Sequence, residues 1–562
     1  MRISVSILRK AKSEHFAFLV IAISSFLTRI YSLSISPYPF NNDAITECTI
    51  ASGILGSGHL DFTSNINQST HSTGIPAFNV LIAYTSSLIG VTPLECAQFI
   101  TATVAVVTIG GIYLLARIVT GSFLGGVTAG FMAVMFGTFV YTTGSSWKEA
   151  LGAAFLITAV IAFLGRSQPR NRALLFVILM ILPLTHHLVA AITLLTLALA
   201  ICWSWFLALR AHSLRKRHIA DLLMVAISVA WMTAYYLRIS FDSSTLVNSR
   251  TALELAPVLF LVLSGIIIAV LSRKNHLRIT FAPAVGLGVF VLLVLDYYGV
   301  LFPYTPSAPA ISYFTLVCAL VFILTIAWYG TELILESRPV HRTFQLCLLV
   351  APLAIMGVAV LGGFSYSSQK VFYRTFDFLD VALFIGAAFA LVALHHRRKL
   401  FVVSAVALIA LSAVSFPFGY ESERLLGVRH DTQPFEMDAL LWLSAHNDSP
   451  NVVSDERIAY VFHALTDGWK NPYLPAYIMR NASLPPSFYV VEDSWTTVGV
   501  NDYPRGKVVI PLANYTSTLG LANVFYVGGP ASDKIQVFIA VGVSGYQDFP
   551  PPQAVFSQGV SG

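Results

Sequence analysis

The sequence is short of charged residues. Only 11% of its 562 residues are Asp, Glu, Lys or Arg, whereas a typical soluble domain has about 25%. Hydrophobic residues make up 56% of the chain, and its mean hydropathy is +0.72. This composition excludes an ordinary cytosolic enzyme, a disordered protein and a nucleic-acid-binding protein. The class that remains is a polytopic membrane protein.

Cysteine is also scarce, with five residues in the whole chain. Cys202, Cys318 and Cys347 fall in apolar runs, so we expect them in the hydrophobic core. Cys48 and Cys96 both fall on the predicted outer side of the membrane. They either pair or stay free, because spacing alone cannot establish a disulfide.

Long apolar runs, by contrast, are abundant, and a helix needs about 20 apolar residues to cross a bilayer. Twelve runs qualify as candidate spans: 16–33, 96–116, 123–141, 150–164, 187–207, 219–237, 256–271, 279–298, 311–335, 344–361, 378–394 and 401–416. The first run follows a basic segment but has no small-residue cleavage site, so we expect it to stay in place as span one. Two shorter runs, 75–89 and 173–183, are ambiguous by length.

The distribution of basic residues indicates which of these two runs crosses the membrane. Twenty of the 34 Lys and Arg residues lie in the N-terminal segment and in alternate loops between apolar runs. Cytoplasmic loops carry such an excess of Lys and Arg. All these loops face the cytoplasm only if 173–183 crosses the membrane and 75–89 does not. The sequence therefore predicts 13 transmembrane helices in a plasma membrane, a cytoplasmic N-terminus, and a juxtamembrane or re-entrant helix at 75–89.

Two polar segments fall on the predicted outer side, at 34–74 and 419–562. All four N-glycosylation sequons lie in them, at Asn67, Asn447, Asn481 and Asn514;. The second segment holds 14 acidic and 8 basic residues, a balance typical of a soluble domain.

Secondary-structure patterns support a folded C-terminal segment. We predict a helix at 435–445 and strands at 451–454, 488–491, 507–511, 523–527 and 535–541. The predicted organisation is a transmembrane domain over 1–418, which includes an outer loop at 34–95, and an extracytoplasmic α/β domain over 419–562.

An acidic pair follows the first predicted span. Asp43 and Glu47 are four residues apart, so on a helix they share one face just beyond the membrane. Asp43 is also well placed to cap a helix N-terminus. Taken alone, the pair fits a solvated helix start as well as it fits a functional site.

The segments around this pair resemble those of a known superfamily. The same loop continues to STGIPAFN at 72–79, and the next span ends in IYLLAR at 112–117, followed by a turn at Gly121. This order resembles the GT-C superfamily of membrane glycosyltransferases, which includes protein O-mannosyltransferases, aminoarabinose transferases and oligosaccharyltransferases. The resemblance covers residues 15–190 in pattern. Beyond them it covers only the architecture of many spans and an outer globular domain.

The resemblance implies roles for individual acidic residues. Asp43 matches the acidic residue of the first outer loop, which acts as a base towards the acceptor or helps to hold a metal. Glu47 is a second candidate in the same loop, and the neighbouring Asn42 is expected to line the substrate cavity. Glu149 stands where the superfamily has its second acidic motif, but no Asp-X-Asp is present.

The resemblance also bears on cofactors and on the transferred group. Lys148 stands beside Glu149 and disfavours a divalent metal, so we expect no metal site and no cofactor, although a divalent cation stays an alternative. The C-terminal segment lacks the Trp-Trp-Asp signature of oligosaccharyltransferases. This departure favours transfer of a single sugar or a short glycan.

Basic and imidazole side chains complete the predicted site. Lys370 and Arg374, four residues apart in the last outer loop, are candidates for the phosphate of a lipid-linked donor, as is Lys148. Pairing with Asp377 and Asp380, or anchoring in lipid headgroups, is the alternative for the first two. His186 and His187, at the outer end of a span, either contact the substrate or bond to backbone carbonyls.

Together these residues predict a glycosyltransferase that uses a polyprenyl-phosphate-linked sugar as donor. Asp43 would activate the acceptor for inverting attack, and the acceptor would be a protein, a lipid or a glycan at the outer face of the bilayer. Two alternatives stay open: a multi-span transporter or lipid flippase, and a non-catalytic GT-C-like assembly factor. Most predicted spans lack ionisable residues at mid-depth, which favours a surface reaction over passage through the membrane.

Overall fold

The computed structural model describes most of the chain. The described residues are 5–60, 74–210, 212, 216–239, 281–297, 310–335, 339–361, 366–420, 429–446, 451–466, 469–480, 484, 487–502, 506–520, 522–531 and 533–540. We call residues 5–420 the helical part and residues 429–540 the tail. The predicted span at 256–271 lies outside the described residues.

The described residues of the helical part lie mainly in α-helices. They are α1 (Val5–Ile30), α2 (Asp43–Ser57), α3 (Ala77–Ile89), α4 (Pro93–Thr120), α5 (Phe123–Met135), α6 (Gly137–Gly144), α7 (Lys148–Leu164), α8 (Pro169–Thr185), α9 (His187–Arg210), α10 (Lys216–Arg238), α11 (Phe281–Tyr297), α12 (Ala310–Leu335), α13 (Pro339–Leu361), α14 (Tyr366–Leu394) and α15 (Arg398–Ser415).

Several of these helices have the dimensions of membrane spans. Within the described ranges, seven are long and apolar enough to cross a membrane, or eight if α5 and α6 count as one bent span. Among the remaining helices, α7 and α8 have 17 residues each, α3 has 13, and the apolar part of α13 is confined to Thr343–Ala359. The predicted total of 13 spans therefore stays a prediction.

A buried arginine fixes the break between α5 and α6, whose axes differ by 70°. A helix that ends inside a protein leaves carbonyl groups without partners. Arg29 of α1, fully buried, donates hydrogen bonds to the carbonyls of Ala133 (2.8 Å) and Val134 (2.6 Å). It also donates to the hydroxyl of Thr143 on α6, at 2.8 and 3.1 Å. The guanidinium thus joins both halves of the bent pair to α1.

The helix α2 carries the first acidic pair and lies above the spanning helices. It begins at Asp43, where the helix dipole favours a negative charge;. It ends at Gly58, whose φ of +72° lies in the left-handed region that glycine adopts readily;. Cys48 and Ala51 of α2 pack with Phe78 and Ile82 of α3 in one hydrophobic cluster.

The tail combines helices with short strands. The helices are α16 (Pro434–His446), α17 (Glu456–Thr466), α18 (Leu474–Met479) and α19 (Leu512–Gly520), and the strands are β1 (Asn451–Val453), β2 (Trp469–Asn471), β3 (Phe488–Glu492), β4 (Val500–Asp502), β5 (Gly506–Val508), β6 (Ala522–Gly528) and β7 (Ile535–Ala540). Five strands form a sheet in the order β2-β1-β3-β7-β6, and β4 pairs with β5. In the sheet, β1 runs parallel to β2 and β3, whereas β7 runs antiparallel to β3 and β6.

The core of the tail includes a residue from the helical part. Ile45 of α2, 1% exposed, belongs to the same hydrophobic cluster as Leu440 and Phe462 of the tail helices and Val490 and Val537 of the sheet. The helix that carries Asp43 and Glu47 therefore contacts both the tail and the helices α3 and α4.

The predicted elements of the tail match the structure in part. The predicted helix coincides with α16, and four predicted strands match β1, β3, β6 and β7 to within one residue at each end, whereas the strand predicted at 507–511 overlaps β5 by only two residues. The sequence patterns missed α17, α18, α19, β2 and β4. The two missed strands have three residues each, which is too short for an alternation of apolar and polar residues to stand out.

The cysteine expectations need correction. Cys202 and Cys318 are exposed on their helices, and only Cys347 of the three is buried. An apolar run in a spanning helix also supplies its lipid-facing side, so its hydrophobicity does not place a residue in the core. Cys48 and Cys96 are buried, free thiols, so the structure contains no disulfide between them.

Candidate active site

A cavity of about 120 Å³ lies at one end of the spanning helices, and most of the predicted site residues line it. Its lining comes from α2, from the turn before α3, from the start of α7, from the α8–α9 junction and from α14. The lining residues are Asp43, Glu47, Ile75, Trp147, Lys148, Glu149, His186, His187 and Arg374.

Arg374 lies between two carboxylates that come from different elements. Its Nη1 atom is 3.2 Å from Oε1 of Glu149, and its Nη2 atom is 3.9 Å from Oδ2 of Asp43. The side chain of Glu149 is only 2% exposed, whereas that of Asp43 is 50% exposed and that of Arg374 is 34% exposed. Asp43 and Arg374 are therefore the accessible members of the group, and Glu149 is its buried anchor.

Aromatic side chains form the base of the cavity beneath Arg374. The guanidinium carbon of Arg374 lies 5.2 Å from the ring centroid of Trp147, within the range of a cation–π interaction. Trp147 is buried and packs edge-on against Tyr141, with 5.4 Å between centroids. His430 of the tail packs against the other side of Tyr141, at 5.6 Å. The tail thus contacts the aromatic base of the cavity.

A second charged pair is almost completely buried. The Nζ atom of Lys148 lies 3.4 Å from Oε1 of Glu47, and the two side chains are 9% and 7% exposed. Asn79 of α3 donates hydrogen bonds to the carboxylate of Glu47 and, at 3.0 Å, to its backbone carbonyl. Burial raises the pKa of Glu47, and the charge of Lys148 acts in the opposite direction;. This pair ties α2 to α3 and α7.

The two histidines stack on each other beside Glu149, with 4.6 Å between ring centroids. Burial lowers the pKa of His186 well below its usual value, and the positive charges nearby act in the same direction;. Its Nδ1 accepts a hydrogen bond from the amide of Val189 at 3.4 Å. Its Nε2 lies 3.3 Å from Oε1 of Glu149. His186 is therefore in contact with the buried carboxylate.

The sequence identified most residues of this cavity. Seven of the nine predicted site residues line it: Asp43, Glu47, Lys148, Glu149, His186, His187 and Arg374. Asn42 lies just before α2, and its buried side-chain oxygen has no hydrogen-bond partner among the described residues. Lys370 lies in the first turns of α14, but its side chain is outside the described residues. Arg374 contacts Asp43 and Glu149, and Asp377 of the alternative pairing is also close enough to interact with its charge.

Ile75, Asn79 and Trp147 escaped identification as site residues. Trp147 directly precedes the Lys148-Glu149 pair, and this adjacency was the available signal. Asn79 had no such signal, because only the packing of α3 on α2 brings it to Glu47.

A larger cavity lies at the junction of the helical part and the tail. Its volume is about 320 Å³, and its lining residues are Ile35, Tyr420, Arg429, Asp431, Gln433, Val498 and Asp533. Arg429 forms ion pairs there with Asp533 and, at 3.6 Å, with Asp431. This larger cavity contains none of the predicted site residues. The candidate active site is therefore the smaller cavity.

The residues of the smaller cavity do not fit a metal ion as they stand. Over the part of the chain that the structure describes, no group of three His, Cys, Asp or Glu side chains is arranged to hold one. Glu149 contacts two other groups, Arg374 and His186. The guanidinium of Arg374 provides the positive charge between Asp43 and Glu149.

Comparisons with known proteins give the fold. No family model and no curated protein sequence matches the chain. The structure is similar to the oligosaccharyltransferase of Archaeoglobus fulgidus, solved with Zn and sulfate, with a TM-score of 0.50 and 14% identity over 86% of this chain and 68% of that one.

Two further solved structures match more weakly. Arabinofuranosyltransferase AftD from mycobacteria has a TM-score of 0.43 and 14% identity over 94% of this chain and 42% of that one. ArnT from Cupriavidus metallidurans, bound to undecaprenyl phosphate, has a TM-score of 0.37 and 12% identity over 94% of this chain and 99% of that one. All three neighbours are GT-C superfamily glycosyltransferases, and the chain shares the fold of the first of them.

Proposed function

We propose that this chain is a membrane glycosyltransferase that moves a sugar from a polyprenyl-phosphate donor to an acceptor on the outer face of the membrane. The observation that carries the proposal is the geometry of the cavity. A half-exposed carboxylate, Asp43, lies beside an accessible guanidinium, Arg374, and a buried carboxylate, Glu149, anchors that guanidinium. The GT-C fold supports the same class of activity.

In the proposed reaction, Asp43 acts on the acceptor. Its carboxylate accepts a hydrogen bond from the acceptor hydroxyl and takes the proton as the oxygen attacks the anomeric carbon. The bond from this carbon to the phosphate oxygen breaks, and the phosphate leaves with the electron pair. Attack from the face opposite the leaving group inverts the anomeric centre, and Asp43 then releases its proton to solvent.

The basic residues act on the donor in this proposal. Arg374 donates hydrogen bonds to the phosphate and stabilises the charge that grows on it as the bond breaks. Lys370 lies one helical turn earlier on α14 and binds the same phosphate. Lys148, which contacts Glu47, adds its charge to the same cavity. His186, His187 and Asn42 contact the sugar or the phosphate.

The proposed reaction needs no metal ion, because protein cations flank the reacting groups. The phosphate is a stable leaving anion, and the guanidinium of Arg374 balances the two carboxylates nearest to it. We therefore expect transfer to persist after treatment with a chelator of divalent metals.

The remaining assignments complete the proposal. The helical part crosses a plasma membrane 13 times, with residues 1–418 as the transmembrane domain. Residues 419–562 form the extracytoplasmic domain, which presents the acceptor: a protein, a lipid or a glycan. Its contact with Tyr141 through His430 supports a position next to the cavity.

The test is transfer by the purified protein in lipid vesicles, with a radiolabelled polyprenyl-phosphate sugar and a panel of acceptors. Asp43→Asn keeps the shape of the side chain but removes the base. We expect it to lower the transfer rate by about 100-fold or more, with donor affinity within threefold of the wild type.

The matched control is Asp438→Asn, which makes the same change at an exposed position of α16 and should leave the rate unchanged. Full activity of Asp43→Asn would exclude Asp43 as the base. Movement of the lipid-linked sugar across the bilayer without transfer would favour a flippase.

A further inference from the structure

A buried glutamine on α4 connects the two segments that carry Asp43 and Glu149. Gln98 is 1% exposed, and both polar atoms of its side-chain amide make two hydrogen bonds. Its Nε2 donates to the carbonyls of Arg29 (2.7 Å) and Gly144 (2.9 Å). Its Oε1 accepts from the amide of Phe40 and from the hydroxyl of Ser146, both at 2.9 Å. The hydrogen-bonding capacity of the side chain is thereby filled.

On one side, these bonds fix the backbone that leads into α2. Phe40 lies three residues before Asp43, and its carbonyl also accepts the amide of Ser146 at 3.0 Å. The next residue, Asn41, has a φ of +88°, a conformation that a non-glycine residue keeps only where its surroundings impose it. Asn41 in turn accepts the amide of Asp43 on its side-chain oxygen at 3.1 Å. A chain of hydrogen bonds thus runs from Gln98 through Phe40 and Asn41 to the start of α2.

On the other side, the same amide fixes the backbone that leads into α7. Gly144 is the last residue of α6, and Ser146 lies three residues before Glu149. The hydroxyl of Ser146 also accepts a hydrogen bond from Thr101, one turn along α4 from Gln98, at 3.0 Å. Gln98 therefore reaches the chain three residues before each of the two acidic residues.

We propose that Gln98 is a positioning residue, which sets the separation of Asp43 and Glu149 and so the place of Arg374 between them. Its bonds go to the ends of α1 and α6, at Arg29 and Gly144, and to the turns at Phe40 and Ser146. Loss of the amide would therefore loosen these two turns, while the spanning helices keep their own hydrogen bonds. Catalysis depends on such positions, since a misplacement of about 1 Å can cost about 100-fold in rate. This inference rests on the proposed function for its catalytic consequence, but not for the structural linkage.

The substitution that tests the linkage is Gln98→Met, which keeps the length of the side chain and removes all four hydrogen bonds. The matched control is Gln345→Met on α13. Gln345 is also fully buried, and it donates to Thr331 (3.2 Å) and Ala382 (2.9 Å) on neighbouring helices. Both variants lose a buried amide from the helical part, but only the first removes the bonds of Gln98 to the two turns and leaves the bond from the amide of Ser146 to the carbonyl of Phe40 as their direct link.

Two measurements distinguish positioning from general stability. The first is amide hydrogen exchange, read by mass spectrometry in segments 38–46 and 144–150. In Gln98→Met we expect the exchange rate to rise in both segments. In Gln345→Met we expect it to rise in neither segment. The second is the split between kcat and the KM of the donor. We expect kcat to fall by about 30- to 100-fold in Gln98→Met, with KM within threefold, and no change in kcat in Gln345→Met.

The outcomes separate this inference from the proposed function. Unchanged exchange, exchange that rises in one segment alone, or equal losses of kcat in the two variants would overturn the positioning role. If exchange rises in both segments of Gln98→Met but the wild-type protein transfers no sugar, the proposed function is overturned and the structural linkage stands. If Gln98→Met does not fold, Ser146→Ala removes one of the four bonds. It must then give the same joint exchange with a smaller fall in kcat, and failure to do so would also overturn the role.

Discussion

Arg374 contacts both acidic candidates of the cavity, at 3.2 Å from Glu149 and 3.9 Å from Asp43. The ring of Trp147 lies 5.2 Å from its guanidinium carbon. This geometry leaves other N–H groups of the guanidinium available for a ligand, because an arginine side chain has five. A phosphate that binds there would meet a cation already oriented by two carboxylates and an aromatic ring.

This arrangement predicts a difference between two substitutions of Arg374. Arg374→Gln removes the charge and should raise the donor KM by about 10- to 100-fold, since a hydrogen bond to a charged group contributes about 1.5–3 kcal/mol. Arg374→Lys keeps the charge but loses the planar pair of donors. Its donor KM should therefore lie between that of the wild type and that of Arg374→Gln. Initial-rate kinetics with a polyprenyl-phosphate sugar measure both values.

Arg166→Gln is the control, because Arg166 forms an ion pair at 3.0 Å with Asp221, away from the cavity. An unchanged KM in Arg374→Gln would remove Arg374 from the donor site.

Single residues were predictable where a chemical type stood out against its surroundings. Asp43, Glu149 and Arg374 are charged residues at the ends of apolar runs, and this contrast identified them. Gln98 and Asn79 were not predictable, because an amide within or beside an apolar helix carries no charge and no spacing rule. Their importance comes from the backbone groups that the fold brings to them.

At the scale of elements, a single side chain stabilises the bend between α5 and α6. Arg29 supplies hydrogen bonds to two carbonyls at the end of α5 and to Thr143 on α6. After the bend, Tyr141 of α6 packs edge-on against Trp147, which lines the cavity. The sequence alone gave one apolar run at 123–141, because hydrophobicity does not record a change of direction.

We expect Arg29→Met to destabilise the protein strongly. The variant leaves two buried carbonyls without donors, and each unsatisfied buried acceptor costs about 1–3 kcal/mol. The free energy of unfolding should therefore fall by about 2–6 kcal/mol, measured by denaturant unfolding in detergent.

Arg117→Met is the matched control for this substitution. The side chain of Arg117 is 42% exposed and pairs with Glu14, and exposed ion pairs contribute about 0–1 kcal/mol. Equal losses in the two variants would mean that Arg29 does not hold the break.

Across the whole molecule, the two predicted domains share a hydrophobic core. Ile45 lies two residues after Asp43 on α2, yet it packs with Leu440 and Phe462 of the tail. A neighbouring face of α2 packs on α3 and α4 through Cys48 and Ala51;. A sequence boundary near residue 419 was predictable from the change in composition. This shared packing was not, because it joins residues about 400 positions apart.

The shared core predicts that the tail influences catalysis through α2. Ile45→Ala deletes a buried side chain from the tail core on the element that carries Asp43. Leu443→Ala deletes one from the same core on α16, at 0% exposure. Both variants should lose about 2–5 kcal/mol of unfolding free energy. At a temperature where both stay folded, kcat should fall by about tenfold in Ile45→Ala and by less than twofold in Leu443→Ala.

Thermal unfolding and initial rates in the same detergent supply both quantities. The contrast between the two variants depends on position rather than on the amount of buried surface lost, because each one truncates an aliphatic side chain in a single cluster. Equal reductions in kcat would mean that the tail acts only through overall stability. No reduction in either would mean that the spanning helices alone fix α2. A reduction confined to Ile45→Ala would make the tail part of the catalytic framework, since its core then supports the helix that begins at Asp43.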